Sequence, residues 1–308
     1  MPTIKVAKHA GFCFGVKKAI EIAEEVAQNN KGKTFVYGQL VHNEKVIRDL
    51  ENKGIIFIDN ISEIPQNAVT VLRAHGEPGT TYQILEEKSI IKGKNLNDAT
   101  CPLVTLVHNV AIKLKNNGYE VILFGKSNHP EAIGTSYHLK GKDTFVIEEP
   151  EQFGSVIDYI NKNNFEKVAI VSQTTMSVYG YKKLIDNINS NLPEGKFELI
   201  PLSLKDLNKK YGYVDTICNP TKQRQFDTEE LARECDIVIV IGGKNSSNSK
   251  ELYAKCKEFG VESYFIQSEG QLQKKWFIGK EKIGVTAGAS TPDYLINEVV
   301  SKIKEITY

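Results

Sequence analysis

Residues 9–25 read HAGFCFGVKKAIEIAEE, a single cysteine between an apolar start at Ile4 and Val6 and an amphipathic run. Val16, Ala19, Ile20, Ala23 and Val26 recur at the three- and four-residue spacing of one helix face. Cys13 is therefore expected at a turn where a helix begins. A helix N-terminus favours a thiolate, because the dipole and the free N–H groups lower its pKa.

The arrangement occurs twice more. DATCPLVTLVHNVAIKL sets Cys101 ahead of Val104, Val107, Val110, Ala111 and Leu114, and DTICNPTKQRQFDTEELA sets Cys218 ahead of a more polar helix-like run. Pro102 and Pro220 follow closely, where a first helical turn tolerates proline. Each helix leads to an apolar strand ending in glycine: TFVYG, EVILFG and DIVIVIG. Gly38, Gly125 and Gly242 lie 25, 24 and 24 residues beyond their cysteines, and His42, His129 and Ser246 stand four residues further on. A second strand follows in each pass and ends in a polar tip, near His75, near Thr174 and near Ser290.

Strands alternating with helices predict parallel sheets with helices on their faces, and such sheets bind ligands at the C-terminal ends of their strands. The polar tips all fall at those ends. The expectation is an α/β chain of three similar domains, 1–100, 101–217 and 218–308, with parallel sheets arranged pseudo-threefold so that each domain offers one cysteine and two tips to a common centre.

With 308 residues, 41% hydrophobic and 25% charged, the composition is that of a soluble globular protein. A net charge of +1 gives no general pull toward nucleic acid or a membrane surface. No apolar run approaches the ~20 residues of a membrane span, and no signal or transit segment opens the chain. A cytoplasmic, reducing setting is expected. The five cysteines are widely spaced with no CxxC pair, which argues against a disulfide framework or a compact zinc ribbon.

Three thiolates suit a 4Fe–4S cluster with one iron open; zinc would need a fourth protein ligand, and spacing alone leaves both open. Cys235, at a strand start, and Cys256, within a helix, read as packing residues. His42, His75, His129, Thr174, Ser246, Ser247, Asn248 and Ser290 form a set of compact polar groups fitted to a multi-oxygen anion such as a diphosphate. A complete Walker-type phosphate loop is not present, which disfavours a nucleotide. Glu131, two residues beyond His129, is the candidate proton donor, since enclosure raises a carboxyl pKa; Glu44 holds the parallel place in HNE more weakly. His9, His108 and His138 match no tip and read as structural.

Nine segments in order carry a resemblance: GFCFGV, LVHNEKVI, RAHGEP, ATCPLV, HPEAIGT, VSQTTMSV, TICNPTKQRQ, GGKNSSNS and TAGASTPD. Together they resemble the LytB/IspH family of 4-hydroxy-3-methylbut-2-enyl diphosphate reductases over nearly the whole chain. The resemblance implies three α/β domains around one central 4Fe–4S iron–sulfur cluster. Its ligands would be Cys13, Cys101 and Cys218, with the open iron meeting the substrate hydroxyl. It implies the eight polar residues above as substrate contacts, with Glu131, His129 and Thr174 as the catalytic group. It implies removal of a hydroxyl with two electrons, supplied by ferredoxin or flavodoxin, to give isopentenyl and dimethylallyl diphosphates. Pro220 stands where the family commonly has alanine, and Gln223 where asparagine is common.

Two other readings are weighed against it. A three-cysteine cluster enzyme resembling quinolinate synthase would act on carboxylic acids and favour arginine at the strand tips, where only Arg73 is near. A non-catalytic iron–sulfur or zinc sensor would need an output surface, such as a basic helix, which the chain does not spell.

Overall fold

The computed structural model describes residues 2–193, 195–205 and 207–307. The chain divides into two compact units: Met1–Asn60, Val69–Ala74 and Asn219–Tyr308 form one, and Ile61–Ala68 with His75–Cys218 the other.

In the first unit, β1 (Thr3–Val6), β11 (Ile237–Ile241), β12 (Glu262–Ile266) and β13 (Lys282–Ala287) form a parallel sheet in the order β1-β13-β11-β12. β11 reads IVIVI with every residue buried, as a strand covered on both faces should. Ile237, Ile239 and Ile241 pack with Ile296, Val299 and Ile303 of α10 (Asp293–Thr307). Val238 and Val240 turn instead to Leu231 of α8 (Asn219–Glu234) and to Leu252 and Cys256 of α9 (Ser247–Glu258). Fully burying each such side chain stabilises by roughly 1.5–3 kcal/mol. Cys235 packs beside this second cluster.

The same unit holds β2 (Thr34–Tyr37) between β3 (Ile55–Ile58) and β4 (Val69–Leu72), all parallel. α1 (Phe14–Asn29) precedes β2, and α2 (Glu44–Glu51) follows it. Thr3 pairs with Lys282 and Val6 with Val285, so the first strand completes the sheet built by the end of the chain.

The polarity of the run after Cys218 has a structural reason. Thr221, Arg224, Gln225, Asp227 and Thr228 of α8 are buried. The Arg224 guanidinium donates to the carbonyls of Gly11 at 2.6 Å and Pro220 at 2.8 Å, and Asp227 accepts the His9 N–H at 2.6 Å. Buried polar groups are tolerated when bonded in this way. His9 accordingly serves this packing.

The second unit carries a sheet in the order β7-β6-β8-β10-β9, from β7 (Val146–Ile147), β6 (Tyr119–Phe124), β8 (Lys167–Ser172), β10 (Tyr211–Tyr213) and β9 (Glu198–Leu199). Val121, Leu123, Ala169 and Val171 face α4 (Pro102–Asn116) and α5 (Pro130–His138). Ile122, Phe124, Val168 and Ile170 face α6 (Phe153–Asn163) and α7 (Val178–Asn191). α3 (Gly79–Glu87) and the short β5 (Leu96–Asp98) precede α4.

One step recurs in each of the three sheets among the described residues. The chain moves outward from β2 to β3, from β6 to β7 and from β11 to β12, then returns to the opposite side as β4, β8 and β13. Ligands of open α/β sheets bind where the strand order reverses. The reversals lie between the two tips named from each repeat.

Candidate active site

Cys13 is the N-cap of α1, Cys101 the N-cap of α4 with Pro102 as its first residue, and Cys218 directly precedes α8. All three are partly exposed and none is in a disulfide. Neither Cys13 nor Cys101 spends its side chain on a cap hydrogen bond. The Cys13 N–H donates to the Ala289 carbonyl at 3.1 Å, which ties α1 to the tip of β13.

That tip is joined to its neighbours in the first unit. The Ala289 N–H donates to Asn248 Oδ1 at 3.1 Å, and Ser290 Oγ donates to the His42 carbonyl at 3.0 Å. Ser246 caps α9, with Ser247 and Asn248 in its first turn. Cys13, His42, Asn248 and Ser290 thus share one bonded framework, while Asn43, not His42, supplies the α2 cap. Burial, followed by the charges of Arg73 and Lys250, pushes the His42 imidazole down to about 4. The same positive field that disfavours imidazolium favours an anion.

Gly243 passes so close to this framework that a Cβ there would stand 2.3 Å from the His42 carbonyl oxygen and 3.1 Å from Asn43 Cα. Both are backbone atoms. Gly243→Ala is expected to cost about 1–3 kcal/mol of stability. A chemical denaturation midpoint equal to that of the parent would show that this loop yields freely.

In the second unit the acid lies at the tip of β6 beside the tip of β8. His129 caps α5, and its Nδ1 accepts the Glu131 N–H at 3.2 Å. Nδ1 is then the acceptor, so the neutral ring carries its proton on Nε2. The rings of His75 and His129 meet edge to face at 5.4 Å. Gly76, with φ +77°, makes the turn after His75; a Cβ there would lie 2.9 Å from the His108 ring. The His108 ring in turn meets the His138 ring at 4.7 Å, so these residues pack together around the Gly76 turn.

Glu131 is 2% exposed. Its Oε1 accepts the Thr174 N–H at 2.6 Å and its Oε2 accepts the Thr174 hydroxyl at 2.8 Å. The Thr174 carbonyl accepts the Cys218 N–H at 3.1 Å. Burial raises the carboxyl to about 7, against the lowering effect of the two Thr174 bonds. An acid poised near neutrality is suited to general acid catalysis. Gln173, one residue before Thr174, ties the β8 tip to the loop after β6: its amide oxygen accepts the Lys126 N–H at 3.0 Å and its amide nitrogen donates to Thr175 at 2.9 Å.

The family model described as LytB protein matches residues 4–304. The chain belongs to the LytB family. Among relatives of this LytB chain, the 4-hydroxy-3-methylbut-2-enyl diphosphate reductase of Aquifex aeolicus is 38% identical, with 99% of this chain and 97% of that protein covered. The enzyme of the same name from Nitratiruptor sp. is 39% identical over 98% of both. Of solved structures, the E-1-hydroxy-2-methyl-but-2-enyl-4-diphosphate reductase of Plasmodium falciparum superposes with a TM-score of 0.84 at 27% identity, covering 100% of this chain and 88% of that one. A second, described as the terminal enzyme of the non-mevalonate pathway, gives 0.64 at 37% identity over 99% and 100% of the two chains.

The LytB chain's cysteines fit an iron–sulfur group by their chemistry. Each is a partly exposed thiol at the opening of a helix, outside any disulfide. Cys256, by contrast, is fully buried, and burial pushes its thiol up to about 12. Two residues that the sequence reading did not single out bond to the strand tips and caps described above: Gln173 and Ser249.

Proposed function

We propose that this chain removes the hydroxyl of 4-hydroxy-3-methylbut-2-enyl diphosphate and releases isopentenyl and dimethylallyl diphosphates. The observation that carries the reading is the chain of bonds from Glu131 through Thr174 to Cys218. It ties a carboxyl poised near neutrality to the residue that opens α8.

The overall change consumes two electrons and two protons. The carbon–oxygen bond breaks, water leaves, and a proton replaces the hydroxyl on the allyl carbon skeleton. Hydroxide is a poor leaving group, so protonation at the departing oxygen is the step a buried acid serves best. Glu131 holds that proton on Oε2 across from Thr174 Oγ1 and passes it along the pair. Thr174 is held by its N–H on Oε1; its hydroxyl donates to Oε2 when Glu131 is ionised, and on the protonated acid it accepts from Oε2 and turns its own proton toward the leaving oxygen. His42, His75, His129, Ser246, Ser247, Asn248 and Ser290 bind the diphosphate, with Arg73 and Lys250 supplying a favourable field for it.

LytB proteins are iron–sulfur enzymes, and Cys13, Cys101 and Cys218 would hold a 4Fe–4S cluster with one iron lacking a protein ligand. When bound, that cluster supplies the electrons and a Lewis-acidic site. A one-electron carrier such as ferredoxin or flavodoxin would replenish it. A reducing, cytoplasmic setting would keep the thiols available, and no described helix is long and apolar enough to cross a membrane. The segments 1–100, 101–217 and 218–308, each with the same strand reversal, would be the three repeated domains.

Turnover tests the reading. Protein reconstituted without oxygen is given the hydroxymethylbutenyl diphosphate and a chemical reductant. Formation of both five-carbon diphosphates is expected. No consumption with iron and sulfide bound would overturn it, and would point to a carboxylic-acid enzyme or a sensor.

A further inference from the structure

We infer that Ser249 is a positioning residue that fixes the direction of the Ser246 hydroxyl; the inference rests on the reading of Ser246 as a diphosphate contact. Ser246 Oγ accepts the Ser249 backbone N–H at 3.2 Å. It also accepts the Ser249 hydroxyl at 2.9 Å. A serine hydroxyl offers two lone pairs and one proton. With both lone pairs engaged by Ser249, the Ser246 proton is left to donate to another group. Hydrogen bonds to an oxyanion are charge-assisted and need a donor. A serine held as a donor therefore binds phosphate oxygens better than one that rotates between donating and accepting.

Ser249 has no room to abandon this role. It is 0% exposed. Its Oγ lies 2.2 Å from where a Cβ on Gly242 would stand and 1.9 Å from the same point on Gly288. The two glycines directly follow β11 and β13, and the Gly288 N–H donates to the Ile241 carbonyl at 2.9 Å, so the slot is held by the strand ends. The absence of side chains at both strand tips makes space for one hydroxyl. Asn248, one residue before, is tied to the β13 tip through Ala289, which keeps α9 from sliding out of the slot.

The test compares Ser249→Ala, Ser246→Ala and the double variant in the reconstituted holoenzyme. KM for the hydroxymethylbutenyl diphosphate is measured, with the calorimetric Kd of inorganic diphosphate as a second readout. Ser249→Ala is expected to raise both about tenfold, with a smaller effect on kcat. The double variant is expected to be no worse than Ser246→Ala alone, because Ser249 acts only through Ser246. Ser249→Cys keeps a weak donor and is expected to fall between; it carries the test if the alanine variant does not fold. Unchanged KM and Kd in either Ser249 variant, or additive losses in the double, overturn the inference. Parent protein that binds inorganic diphosphate but does not consume the substrate overturns the proposed reaction and leaves the Kd comparison to judge Ser249. Parent protein that binds no diphosphate overturns both.

Discussion

Glu131→Gln is expected to lower turnover by about 10²–10⁴-fold, the usual worth of one general acid, while leaving iron and sulfide content unchanged. The amide has the shape of the carboxyl and still accepts the Thr174 N–H, so the fold around β6 and β8 is kept. It has no proton to give at neutral pH. The parent should lose activity as pH rises through about 7, because burial places the Glu131 pKa there and only the acid form donates. The variant's residual rate should show no such limb.

Stability should follow the same residue. The native carboxyl titrates at about 7 and the unfolded one near its usual 4.5. Between those values the native state binds a proton that the unfolded state has lost, so stability falls as pH rises across that window. Glu131→Gln should flatten that part of a melting-temperature profile. A variant with parental turnover would remove Glu131 from the mechanism.

Cys13→Ser is expected to lose iron and nearly all turnover, yet to fold. Serine is among the best N-cap residues, so α1 should start as firmly with it as with cysteine. Cys256→Ser is the matching control. Cys256 lies in the core beside Val238, Val240 and Leu252, where a hydroxyl is costly, so it should cost about 1–3 kcal/mol of stability but no iron. Iron and sulfide analysis of purified protein separates the two. A Cys13→Ser chain with full iron and normal turnover would show that this cysteine is no ligand.

What could be read from the sequence was local. The helix starts at Cys13 and Cys101, the buried strands before Gly38, Gly125 and Gly242, and the tips at His129, Thr174 and Ser290 are each announced by residues within one turn or one strand. The parallel α/β class followed from their alternation. Features that depend on distant partners gave no such signal. Thr3–Val6 is too short to declare a strand, and its partner begins at Lys282. β9 and β10 have two and three residues, and the stretch leading to β9, NLPEGK, has the composition of a loop. The run after Cys218 read only as more polar, because Gly11 and His9, which satisfy Arg224 and Asp227, are more than 200 residues away in sequence. Ser249 was hidden within GGKNSSNS because the slot it fills is shaped by Gly288, about forty residues away beyond the end of β13.

The pairing of the first strand with the last also sets a schedule for biosynthesis. Ribosomes add residues at roughly 5–20 per second, so Thr3–Val6 waits on the order of 15–60 s before Lys282–Ala287 emerges. Until then Cys13 lacks the Ala289 carbonyl that anchors its backbone. The nascent chain must carry an unanchored cysteine near its leading end through nearly all of translation, and a message cut short before that strand yields a product whose first cysteine never acquires its place.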